Sequence, residues 1–199
     1  MVYSILKDHF GMGYGDLWEL QKKAERIAVL AGKIAQEVAK KRSIDGLEIF
    51  EIEYPALIYR TVHPENEGIY NGSEEFDKEK NANRAMYSIK VAEEKGIELN
   101  EVQKKALMCE ASLAHQIIKL AETIIATQYI RVYNGKCKGD ITDPVEIVTT
   151  LLLDSAINLV ELINLVGDDN LIAIINEEMG LYEEFVRRKK EHDIMRYIH

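Results

Sequence analysis

Cysteine, proline and tryptophan are scarce in this chain, with two, three and one residues among 199. Cys109 and Cys137 cannot build a disulfide framework, and they lack the paired spacing that a zinc site requires. Cys109 falls in a helical pattern and reads as a small hydrophobe, while Cys137 lies in a polar turn and reads as a loop thiol. Basic residues are also in deficit: 25 Lys and Arg against 34 Asp and Glu leave a formal charge of -9. That balance argues against a nucleic-acid or anionic-membrane surface, since both need excess positive charge. The one basic run, Arg187-Arg188-Lys189-Lys190, reads as a solvated helix end set against the C-terminal dipole.

Long uncharged apolar runs are missing as well. The nearest is 145–166, which carries Glu146, Asp154, Asn158, Glu161 and Asn164. An Asp near the centre of a span costs about 2.5–3.5 kcal/mol on insertion scales, so the segment reads as a core helix. No charged stretch followed by an apolar core stands near Met1, and a cytoplasmic location is the expectation.

What is present is ordinary for a globular protein: 47% apolar and 30% charged residues. A chain of this length can bury roughly 70% of its unfolded surface without staples. The expected architecture is all-α, a single domain over 1–199 forming an antiparallel bundle of about five to six helices. No repeat or low-complexity tract divides it.

Helix signals are strong. Asp16 with Glu19 makes a capping-box pattern, and Leu20, Ala24, Ile27, Ala31, Ile34 and Val38 then recur at spacings of three and four. Ala24, Ala28, Ala31, Ala35 and Ala39 flank that stripe and permit close approach of a partner helix. A helix starting near Ser73 should stop at Gly96, and Asn100 with Gln103 caps the next, which periodicity carries to about Tyr133. Asp143-Pro144-Val145-Glu146 is an N-cap followed by proline at the first helical position, opening a helix that ends at Gly167. Asp168-Asp169 restarts the chain, which predicts a tight helical hairpin interrupted only by Gly180. Pro55, Pro64 and Pro144 fall outside the helix interiors so predicted. Residues 45–71 read as a short helix ended by Tyr54-Pro55 plus an ordered loop, with a strand over 51–54 as the competing reading.

Few residues break the pattern, and those few carry whatever chemistry the chain has. At 100° per residue on a helix over 101–133, Glu110 and Gln128 fall within an apolar face, as does Glu178 among Leu171, Ile174, Ile175, Leu181, Tyr182 and Phe185. A buried carboxylate needs a partner or a wet cavity. One reading is a carboxylate-lined pocket to which Asp154 and Glu161 contribute, with His115 the one histidine within reach. The other reading makes each residue structural. No cofactor is implied, and a divalent metal is the ion that such carboxylates would hold. Ferritin-like Glu-x-x-His pairs do not occur. Glu98 and Glu101 reproduce Glu-x-x-Glu, the first half of the Glu-x-x-Glu then Glu-x-x-Asp pattern of all-helical nucleotide pyrophosphohydrolases, and they straddle a helix start. Gly11-Met12-Gly13-Tyr14-Gly15 lacks phosphate-loop spacing and ends in the acidic Asp16.

Trp18 and Val29 share the polar side of the first helix, which suggests contact with a loop or another subunit. Two functions follow from these features. The first is helix-mediated self-association, a homo-oligomer with the alanine-rich or Trp18 face in its seam. The second is a metal-dependent hydrolase or metal-binding bundle using Glu110, Asp154, Glu161 and Glu178. Neither names a small-molecule ligand.

Overall fold

The computed structural model describes residues 14–44, 51–61, 85–86, 88–108, 111–128, 141–153 and 159–197. All secondary structure among them is helical, and no strand occurs there. Eight helical segments are described, more than the five to six expected. They are α1 (Tyr14–Ala39), α2 (Glu53–Thr61), α3 (88–94), α4 (Glu101–Met108), α5 (Leu113–Gln128), α6 (Pro144–Leu153), α7 (Val160–Val166) and α8 (Asp168–Tyr197). By contact the chain divides into two compact units, Met1–Ile125 and Ala126–His199, with the boundary inside α5.

The higher count has local causes. Periodicity alone extends a helix from 101 to 133, but the chain turns at Ala111 and Ser112. Ser112 Oγ then accepts from the His115 amide at 3.1 Å, the N-cap bond that opens α5. The angular position assigned to Glu110 assumed one unbroken helix, so it does not carry over; Glu110 itself lies outside the described residues. The expected helix over 145–166 is likewise two, because Leu159 leaves helical geometry (φ -117°, ψ 1°) immediately before α7. Asp154 and Asn158 lie outside the described residues, as do Pro64 and Ser73.

In the first unit, α1 buries Ala24, Ile27, Ala28, Leu30, Ala31, Ile34, Ala35 and Val38. That is the predicted stripe widened by one ridge, and only Ala39 of the alanine series is exposed. The small residues do what their size allows. Helix α2 packs on α1 closely enough that a Cβ built on Gly32 would stand 2.5 Å from Glu53 Oε1. The chain is already helical at Tyr14, the first described residue, so Asp16 lies within α1 rather than at its cap. Pro55 also starts rather than ends a helix. It stands in the first turn of α2, where a missing N–H costs nothing, and the Ala56 amide returns to the Ile52 carbonyl at 3.2 Å. No strand forms over 51–54 and Tyr54-Pro55 does not end a helix, while residues 45–50 and 62–71 lie outside the described residues.

Helix α3 ends in a Schellman motif: Gly96 (φ 70°) donates to Glu93 O and Ile97 to Ala92 O, each at 2.9 Å. Asn100 and Gln103 then form the predicted reciprocal box, with Gln103 N donating to Asn100 Oδ1 at 2.8 Å and Asn100 N to Gln103 Oε1 at 3.1 Å. Lys104 bridges back to Glu93 at 3.1 Å, tying α4 to α3 across this turn. The hydrogen bond and charge of Glu93 hold the Lys104 ammonium above the ordinary lysine range.

In the second unit, Asp143 Oδ1 accepts from the Val145 amide at 2.9 Å, so α6 starts as its sequence predicts. Both α6 and α7 pack on α8. Gly167 alone joins α7 to α8, with φ 92° and ψ 138°, a conformation that a side chain rarely permits. Its amide closes α7 on Ile163 O at 2.8 Å and its carbonyl accepts from Leu171 at 3.0 Å, opening α8. Helix α8 runs unbroken through Gly180 to Tyr197. The basic run from Arg187 therefore lies within a helix, not at its end. No helix among the described residues is long and apolar enough to cross a membrane.

Candidate functional site

Polar side chains gather in one place in the first unit, on the outer ridge of α5. Ser112 sets the phase of that helix, so His115, Lys119 and Glu122 follow at successive turns on one side. That side is opposite the Ile117, Ala121 and Ile124 face, where periodicity alone would leave a side chain in solvent. His115 is instead only 7% exposed. Periodicity within α5 places it correctly; what covers it is another helix. Tyr59 of α2 meets the imidazole edge to face, with centroids 5.7 Å apart and planes at 85°.

The His115 ring also closes the end of α4. Its Nδ1 stands 3.0 Å from the Ala106 carbonyl. A carbonyl only accepts, so Nδ1 carries the hydrogen and donates it. Ala106 stands in the last described turn of α4 and is buried. His115 thus supplies from α5 a donor to the last described turn of α4, in a buried setting.

Lys119 extends the cluster toward solvent. Its ammonium lies 3.1 Å from Glu122 Oε2 and 5.6 Å from the Tyr59 ring centroid. Burial pulls this lysine downward, but the charge of Glu122 and the Tyr59 phenol outweigh burial and leave it above its ordinary range. The ammonium thus stays charged, held between a carboxylate and an aromatic face. The arrangement joins α2, α4 and α5 through one buried ring and one cation.

Of the sequence-selected residues of the second unit, Glu178, Glu161 and Gln128 are described and Asp154 is not. Glu178 is 2% exposed on α8, with Leu171, Ile174 and Ile175 buried on the same face, as periodicity requires. Leu181 departs from that face and is 56% exposed. Helices α6 and α7 contain no Lys, Arg or His, so no cation on them faces Glu178; the residue is nonetheless not without a partner. Glu161 is exposed in the first turn of α7, where it complements the helix dipole. Gln128 is buried at the end of α5, and its carbonyl accepts from Ile141 at 3.1 Å. Among the described residues, no three His, Cys, Asp or Glu side chains stand together as a metal site.

Apolar residues are left in water on the second unit. Leu153 is 78% exposed, and Val145, Val160 and Leu181 are exposed with it. In the first unit Val29 is exposed on α1, as expected, while the side chain of Trp18 lies outside those described. Sequence reading named His115 but missed its burial and the part played by Tyr59. The available signal was Ser112-x-x-His115, a capping serine within an otherwise apolar run. Comparison with protein-family models, with curated proteins and with solved structures finds no match for this chain.

Proposed function

We propose that this chain works by helix-mediated self-association. The observation that supports it is the outer ridge of α6, where Val145, Thr149 and Leu153 follow at intervals of four and all face solvent. The ridge is more apolar than its composition. Thr149 Oγ1 donates to the Val145 carbonyl at 2.8 Å, and Thr150 Oγ1 to Glu146 O at 2.8 Å. Both hydroxyls are answered inside the helix. Glu146 is the one ionisable residue in α6, so a second copy meets little charge there despite the net charge of the chain. Exposed apolar ridges of this kind mark interaction surfaces more often than isolated exposed residues do. Placing a charge on the ridge with Leu153→Glu should shift the protein to a later elution volume in gel filtration while leaving its helical circular dichroism intact. An unchanged elution volume removes α6 from the seam.

The alternative, metal-dependent hydrolysis through Glu110, Asp154, Glu161 and Glu178, draws support from the burial of Glu178. A rise in Tm with magnesium or manganese would favour it through linkage, and no rise with either would count against it.

A further inference from the structure

We draw no further inference here: the strongest candidate, the Tyr59–His115–Lys119–Glu122 side-chain cluster on α2 and α5, belongs to the site already described, where its groups answer one another and the end of α4.

Discussion

Truncating His115 to alanine removes the donor to Ala106 and the edge-to-face partner of Tyr59 in one step. A buried carbonyl left without its donor, together with the cavity, should cost about 2–4 kcal/mol. His115→Asn keeps an amide donor near Cβ and should recover part of that loss. Urea melts of the three proteins measure this, and an alanine variant as stable as the parent would remove the joint described between α4 and α5. Glu178 offers a second test at the same scale. Because Glu178 is buried and not without a partner, Glu178→Leu should lower stability by about 1–3 kcal/mol. A higher Tm in the leucine variant would mean that the carboxylate contributes only a desolvation cost. The burial of Glu178 was legible in the sequence because it follows from the apolar positions on its own helix. The burial of His115 was not, because the covering residue is 56 positions away on α2.

At the scale of the element, two glycines of the second unit should respond oppositely to the same substitution. Gly180 stands inside α8 with nothing within 4 Å of a built Cβ, so Gly180→Ala should stabilise by about 1 kcal/mol. Gly167 holds φ 92° between α7 and α8, and Gly167→Ala should destabilise by about 1–3 kcal/mol. Thermal melts of the pair separate the two effects, and equal shifts would contradict the one-residue joint. Helix α8 also makes a pH prediction. Hydrogen bonds from Arg187 and Arg188 lower the Glu184 carboxyl to about 2 from its ordinary 4.5. The depressed value means that the contribution of these contacts is fully present above pH 4.5 and is lost as pH falls toward 2. Carboxyl resonances followed by NMR should show a Glu184 midpoint near 2, rising when Arg187 and Arg188 are both replaced by alanine. A midpoint near 4.5 in the native chain would show that these arginines do not hold the carboxylate in solution.

Helix starts and stops explain which elements could be read in advance. Asn100 with Gln103, Asp143 with Pro144, and Gly96 and Gly167 act through bonds within four or five residues, and each works as its local chemistry predicts. Ser112 uses the same chemistry but stands where apolar periodicity continues on both sides, so the break it makes is hidden from a pattern of hydrophobic spacing. Pro55 misleads for a related reason, since proline ends one helix or begins the next, and only the chain after it decides which.

The molecule as a whole carries more apolar helix surface than its described contacts use. Its cores are built from α1 to α5 in one unit and from α6, α7 and α8 in the other, while Val145 and Leu153 of α6 remain in water. The all-helical class was legible because 3.6-residue spacing dominates the chain, whereas the division into units depends on contacts that no local pattern records. Self-association is the central claim, and sedimentation equilibrium of the native chain at micromolar concentration tests it most directly. The account predicts a concentration-dependent mass that reaches at least twice the 22.7 kDa of one chain. A single species of 22.7 kDa throughout that range would contradict it.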